Sequence, residues 1–483
     1  MAEENLHGRC LRRQRFRCIR GHTRGPNPAN THFVRLSGTV GFLQRAVQIT
    51  SNIAAPTLFI MLSTPANSNS RPPTIWLLKA DEPLPIDENP RLLRTGILAQ
   101  KLVEAGFSVV WWTSRFNHGL KQHRNSHNTF CQLGPTYRLY LLEGPGYKTN
   151  ISLARLRHQR SCAAHFHRLA TRLPSPDLIL ASYPTSELCD TARAFAKERN
   201  IPILIDVRDP WPDNLLGFFP PVVRWALLPV VWHYRRRLRL IANKASGIVS
   251  VSNVMLNWAI RIARRKRGAE DRVIPIGYDL AGKGRAIQIP EHFSKDAPLV
   301  CLFFSSCGRS YDGSTLVKAA RILGERGERR IRFVVTGNGE MRRKWMRQAA
   351  GLNSLQFTGW ISHQEMQRHL TTAHVGLVLL RGDITKFWLG NKFFEYLSGF
   401  LALINNVPGE AAEIINENQM GWTVAPGDPG ALAAALTRLV DTPSEVRLSM
   451  KNSQKTFLEV FDRKILYDRY VQYIRERLNC RPV

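Results

Sequence analysis

Two consecutive α/β domains, each built on a parallel sheet, are predicted by three observations. The chain has 483 residues, more than one hydrophobic core serves, so two domains of roughly 200 residues are expected. From residue 74 onward, short aliphatic runs alternate with helix-like stretches without a fixed short repeat, the pattern of βα units. A Gly-, Lys- and Pro-containing stretch, "LAGKGRAIQIPEHFSKDAP", splits that series in two.

In the first series, strands are predicted at "TIWLL" (74–78), "FSVVWWTS" (107–114), "YRLYLL" (137–142), "DLILAS" (177–182), "PILIDV" (202–207) and "GIVSVS" (247–252). Each is a short, nearly continuous apolar run, as in strands buried on both faces. The second series holds "LVCLFF" (299–304), "IRFVVTG" (331–337), "LQFTG" (355–359), "VGLVLL" (375–380) and "LALINN" (401–406). A helix is expected from Asn391, and a long one over "DRKILYDRYVQYIRERL" (462–478) that can pack across both domains. The resulting division is 1–72 extension, 73–280 first domain, 281–298 connection, 299–460 second domain and 461–483 crossing helix.

Lys and Arg number 68 against 37 Asp and Glu, a net charge of +31, which implies an anionic partner: nucleic acid, an acidic membrane surface or a phosphorylated substrate. Specific nucleic-acid binding is not expected, because no nucleic-acid module is legible. The eight cysteines include no C-x-x-C pair and no zinc spacing. They read as small core residues of a reducing compartment, and no metal is expected. Residues 40–62 carry Gln44, Arg45, Gln48 and Asn52, and "VVRWALLPVVW" (222–232) is short and contains Arg224, so no membrane-spanning helix is predicted. Residues 1–60 hold nine arginines, no lysine and two glutamates, and Met61 precedes the first strand. That segment reads as a disordered extension or one translated from too far upstream, with a targeting segment or folded structure as the alternatives.

Three stretches can carry chemistry. "IPILIDVRDPWPD" (201–213) starts as a buried strand and ends in Arg208, Asp209, Trp211 and Asp213 around two prolines that stop the ladder. Open α/β sheets place ligands at that end of a strand; a charged pair bracing a proline turn is the alternative. "SSCGRSYDGSTLVKAARIL" (305–323) is a strand-to-helix turn in which Gly308, backbone N–H groups and Arg309 could meet phosphate, or an ordinary loop. In "LGNKFFEYLSGFLALINN" (389–406), Lys392 lies in a first helical turn, where the dipole disfavours a cation unless an anion offsets it. Glu395 one turn on could accept bonds from vicinal hydroxyls, or be a surface charge.

"NKFFEYLSG", "VPGEAAEIINENQMGWTVAPGDPGALAAALTRLV", "VTGNGE", "FTGWIS" and "SVSNVML" together resemble family 4 retaining glycosyltransferases of GT-B fold. "RLLRTGILAQKLVEAGFSVVWWTSRFNH" and "LIDVRDPWPD" are similar to the bacterial branch that builds capsule, exopolysaccharide and O-antigen units. The resemblance spans about residues 72–478. It implies two Rossmann-like domains facing a central cleft and a nucleotide diphosphate-sugar donor held mainly by the second. By matching positions, Glu395 would contact the ribose, Arg309 the diphosphate, and Gly96, with Arg94 and Thr95, the donor phosphates. Arg208 and Asp209 would orient acceptor or sugar, and Trp211 would offer a flat face to a pyranose. Asp213, Ser182 and His118 are further acceptor-side candidates. Transfer through a front-face route needs no protein nucleophile and no cofactor.

The match has departures. Phe387 replaces the first glutamate of an E-x7-E pair, Ser314 a frequent lysine whose charge Lys392 could supply, and Ser182 a histidine. Gly399, Phe400 and Leu401 replace a G-x-P. An epimerase of the same fold, or an inactive relative, is therefore the alternative. Residues 218–245 mix Phe218, Phe219, Trp225 and Trp232 with Arg235, Arg236, Arg237 and Arg239, and "RIARRKRG" (261–268) adds charge. The segment suits an anionic membrane surface, or a buried helix with a basic end. Since the family's acceptors are often lipid-linked saccharides, the expected location is cytoplasmic, peripheral on the inner membrane face.

Overall fold

The computed structural model describes residues 71–124, 129–281, 286–381 and 389–479. Expectations placed on residues 1–70 and 282–285, on Phe387, on the Phe218 side chain and on Cys10, Cys18 and Cys480 lie outside them.

The first domain carries β1 (Thr74–Leu78), α1 (Arg94–Glu104), β2 (Ser108–Ser114), β3 (Phe116–Asn117), β4 (Gln122–His123), β5 (Phe130–Gly134), β6 (Tyr137–Leu142) and α2 (Leu153–Ala170). It continues through β7 (Leu178–Tyr183), α3 (Ser186–Glu198), β8 (Ile203–Val207), α4 (Pro221–Asn243), β9 (Gly247–Ser250), α5 (Asn253–Ala263) and β10 (Arg272–Val273). One sheet runs in the order β10-β9-β8-β7-β1-β2-β6-β5; its pairs are parallel except β5 with β6. β3 and β4 form a separate hairpin.

The second domain carries β11 (Leu299–Phe304), α6 (Gly313–Glu325), β12 (Ile331–Thr336), α7 (Arg342–Gln348), β13 (Leu355–Gly359), α8 (His363–Thr372), β14 (Val375–Val378) and α9 (Asn391–Ser398). β15 (Ala402–Asn405), α10 (Glu410–Glu417), β16 (Gly421–Thr423), α11 (Pro429–Asp441), α12 (Pro443–Thr456) and α13 (Arg463–Asn479) complete it. Its sheet is parallel, in the order β13-β12-β11-β14-β15-β16. Both sheets grow outward from their first strand and then reverse, so each has a switch point, between β1 and β7 and between β11 and β14. A crevice opens there beyond the strands' carboxyl ends.

The helix α13 crosses back. At its start, Phe461 packs edge-on to Phe393 and Phe394 of the second domain. Leu466, Tyr467, Tyr470 and Ile474 then share a buried cluster with Ile75, Leu98 and Trp111 of the first. β5, β16 and the hairpin have no counterpart among the predicted strands. They are short or polar-interrupted ("FCQLG", "GWT") and depend on a neighbouring strand rather than on their own pattern. The connection is not free chain, since Ile289 and Phe293 sit in the second domain's core. No described helix is long and apolar enough to cross a membrane.

Candidate functional site

The first-domain crevice is floored by a buried ion cluster. Asp206 interrupts the aliphatic run of β8 and is 0% exposed. A carboxylate taken so far from water needs cations, and it has two. Arg94, in the first turn of α1, meets it bidentately (Nε to Oδ2 3.0 Å, Nη2 to Oδ1 3.2 Å) and donates to the Ile274 carbonyl at 2.9 Å. Arg208 donates from Nε at 2.8 Å. Burial alone would raise the Asp206 pKa, but Arg94 and Arg208 outweigh it and hold it below the usual range.

Arg208 is committed further. It pairs with Glu82 and donates to Thr95 Oγ1 at 2.9 Å and Ser182 Oγ at 2.8 Å. Glu82 in turn accepts from the Thr95 N–H and hydroxyl, both at 3.0 Å, so its carboxylate caps α1, which has no cap of its own at Leu93. Residues expected to meet donor or acceptor thus have partners within the chain. Arg208, Arg94 and Ser182 are internal braces, because their polar atoms face one another. Thr95 offers its N–H to Glu82 rather than to a phosphate. Gly96 is buried in α1, where a Cβ would press on Leu92 at 3.1 Å.

Asp209 behaves differently. Its side chain is exposed, and no described group hydrogen-bonds it, yet protein walls surround it. Those walls push its carboxyl pKa up, with Lys79 drawing it back and Asp81 adding to the rise. Lys79 Nζ and Asp81 Oδ1 pair at 2.7 Å beside it, and Arg155 lies 3.7 Å from Asp81. His118 sits at the rim: Nδ1 is 2.6 Å from the Tyr147 hydroxyl, and burial lowers its pKa.

Trp211 and Asp213 leave the crevice. Trp211 packs edge-on against Tyr234 of α4 at 5.7 Å. Asp213 takes two bonds from Arg235, each 2.7 Å, and one from Trp258 Nε1 at 2.8 Å. It ties α4 to α5.

The second-domain crevice is cationic. The turn after β11 is held by close backbone packing: Gly337 has φ +108°, and a Cβ on it would lie 1.8 Å from the Ser305 carbonyl oxygen, so only glycine fits. Arg309 stands largely exposed beyond Gly308, with Nε 3.1 Å from Glu340. The start of α6 is not an open phosphate seat, because Asp312 caps it through the Thr315 N–H and hydroxyl. Ser314 points to Gln348 at 3.1 Å. Arg381, one step past Leu380, reaches Asp312 at 2.9 Å and remains about half exposed. It was not predicted, although it is a charge at the end of an apolar strand beside the switch point, the signal that singled out Arg208.

Glu395 is 1% exposed. Its Oε2 accepts from Lys392 at 2.7 Å, which satisfies the cation in α9's first turn, and its Oε1 accepts from Arg91 at 3.2 Å. Arg91 belongs to the loop after β1 and also donates to the Tyr278 hydroxyl at 3.0 Å, so this contact joins the carboxyl ends of the two sheets. Nearby, burial, Glu395 and Arg91 together leave the Tyr278 pKa pushed up to about 12. Among the described residues no group of three or more His, Cys, Asp or Glu side chains is placed to hold a metal.

A family model described as "Glycosyltransferase Family 4" matches residues 95–281, and "Glycosyl transferases group 1" matches residues 299–442. No curated protein matches. Among solved structures, the sucrose-phosphate synthase of Thermosynechococcus elongatus is similar at TM-score 0.61 and 18% identity, covering 84% of this chain and 98% of that one. HepE of Anabaena, in complex with UDP, is similar at TM-score 0.56 and 14% identity, over 84% of this chain and all of the other. A UDP-forming α,α-trehalose-phosphate synthase of Burkholderia vietnamiensis gives TM-score 0.58 and 14% identity, over 85% and 99%.

Proposed function

The chain belongs to the family 4 glycosyltransferases of GT-B fold, and from that premise we propose that it transfers a sugar from a nucleotide diphosphate-sugar to a saccharide acceptor with retention of configuration. The observation that carries this reading is at the carboxyl ends of the second-domain strands, where Lys392 pairs with the buried Glu395 and the largely exposed Arg309 and half-exposed Arg381 follow β11 and β14. A UDP-sugar is the first donor to test, since HepE binds UDP and the Burkholderia synthase forms it.

In this reading Glu395 accepts the ribose hydroxyls in place of half-exposed Arg91. Arg309 and Arg381 neutralise the diphosphate as its bond to the anomeric carbon breaks, so fixed guanidinium groups meet charge where it develops. The acceptor hydroxyl attacks from the same face and gives its proton to the departing phosphate oxygen. Asp209 holds that hydroxyl on the leaving group's side of the anomeric carbon, and its own position is set by the Arg208 brace. The acceptor is proposed to be a lipid-linked saccharide of surface-polysaccharide synthesis. Residues 218–245 would then rest on the anionic inner face of the cell membrane.

The test is a panel of nucleotide sugars screened for thermal stabilisation, which scales with occupancy, followed by NMR of the anomeric proton in the product. Stabilisation by a nucleotide diphosphate-sugar and a product of the donor's own configuration are expected. An inverted product would refute retention, and no stabilisation by any member would refute the donor class.

A further inference from the structure

The face of α4 turned to solvent is an ordered stripe. Positions 225, 228, 232, 235 and 239 recur at the helical spacing of three and four residues and share one side. Trp225 is 76% exposed, Trp232 63%, and Val222 beside them 83%, with Leu228 also exposed. The adjoining side, Val231, Tyr234, Leu238 and Ile241, is buried. Two exposed tryptophans in one stripe form an apolar patch, covered within the chain only where Arg236 lies over the Trp232 ring at 5.7 Å.

The stripe runs into a groove of about 420 Å³ between α4 and α5, lined by Arg235, Arg239, Trp258, Arg261 and Arg264 with Asp213. Asp213 is used up by Arg235 and Trp258. Arg239 Nε is buried without a hydrogen-bond partner, and among the described residues no carboxylate is paired with Arg239, Arg261 or Arg264. The carboxyl end of α5 offsets only about half a charge. Four guanidinium groups against one carboxylate therefore leave the groove strongly cationic, with planar forks suited to phosphate oxygens.

We propose that this groove binds the phosphate of an anionic lipid headgroup, while Trp225, Trp232 and Val222 enter the bilayer interface beside it. The inference rests on the membrane contact proposed above and adds to it a defined headgroup site. A lipid fits better than a nucleic acid because the charge and the apolar stripe are continuous along one helix face: a bilayer surface supplies both phosphate and hydrocarbon, whereas RNA bases could stack on the tryptophans but would leave the aliphatic Val222 and Leu228 uncovered.

The test is sedimentation of the full chain with phosphatidylcholine vesicles, with and without phosphatidylglycerol. Melting temperature and UDP-sugar binding are followed on the same samples. Wild type should bind the anionic vesicles only. Arg239→Gln with Arg261→Gln should lower partition about 30-fold, roughly fivefold per charge, with melting temperature and donor binding unchanged. Arg239→Lys with Arg261→Lys keeps the charge and loses the forks, so it should still bind several-fold less than wild type. If the lysine pair binds as wild type does, the attraction is diffuse and the groove is overturned. Tighter binding of an RNA oligonucleotide that displaces the vesicles overturns the choice of ligand. Failure of wild type to bind any vesicle overturns the lipid site and the membrane contact together, and intact donor binding in that experiment leaves the transferase reading standing.

Discussion

Replacing Arg208 by alanine should destabilise the first domain before it affects donor binding. The side chain bridges Asp206, Glu82, Thr95 and Ser182. Asp206 would keep its bidentate partner Arg94, so the loss falls on Glu82, left buried with only the Thr95 N–H, the Thr95 hydroxyl and the amino end of α1. Removing one member of a buried pair costs about 3–5 kcal/mol, and those remaining bonds argue for the lower end, about 3 kcal/mol. In a domain of this size that lowers Tm by about 6–12 °C. Arg208→Lys should fall between, since one ammonium cannot reach four acceptors. Arg208→Met with Glu82→Gln should recover part of the loss, because the stranded charge goes with its partner. Calorimetry on the four proteins, with donor affinity and turnover, checks this. An Arg208→Ala protein with wild-type Tm and abolished turnover would show that Arg208 meets substrate, and the brace would be refuted.

Three further outcomes follow from the same geometry. Glu395→Ala removes a charge-assisted acceptor worth about 1.5–3 kcal/mol, so donor affinity measured by titration calorimetry should fall at least tenfold; unchanged affinity would reduce Glu395 to a latch for Arg91. The raised pKa of Asp209 places the acid limb of the turnover profile above the ordinary carboxylate range, with activity rising as the group ionises. Asp209→Asn should abolish that limb, and its persistence would remove Asp209 from the acceptor site. His158 is buried, accepts from the Gly146 N–H at 3.1 Å, and has its pKa pushed down to about 4 from 6.5, chiefly by burial. The unfolded chain therefore takes up a proton that the fold refuses. Stability should be full above pH 6.5 and drop by about 3 kcal/mol as pH falls toward 4; His158→Gln should flatten that slope in urea denaturation.

The two-sheet architecture was legible because parallel strands buried on both faces must be written as apolar runs, as β1, β7 and β11 are. The reversal of strand order and the return of α13 follow from packing between residues far apart in sequence. Lys392 and Glu395 were marked by a cation in a first helical turn, but the first-domain crevice was legible only to the end-of-strand rule, which finds where charge lies but not what it meets. Arg94 and Asp206 are 112 positions apart, and the loop holding Glu82 and Arg91 has no period to read. One local signal does exist for the brace: Asp206 interrupts "ILIDV", and a carboxylate inside a strand buried on both sides must find cations. Arg381 needed only the rule already applied to Arg208.

Charge at a sheet's carboxyl end thus has two fates, and pairing separates them. Arg94, Arg208, Asp206 and Glu82 neutralise one another, so they can lie out of water and fix the crevice floor with no group left over for a ligand. Arg309, Arg381 and Asp209 keep exposed polar atoms, and a substrate that neutralises them gains what the scaffold forgoes. The domains are joined by the same logic. Glu410 of α10 accepts from the Asn253 and Val254 N–H groups at 2.8 and 2.9 Å, capping α5 of the other domain where the helix dipole favours an anion. That cap competes with no substrate, whereas the Arg91–Glu395 bond occupies the carboxylate assigned to the ribose. Donor binding should therefore exchange the second contact and leave the first as the fixed point between the domains.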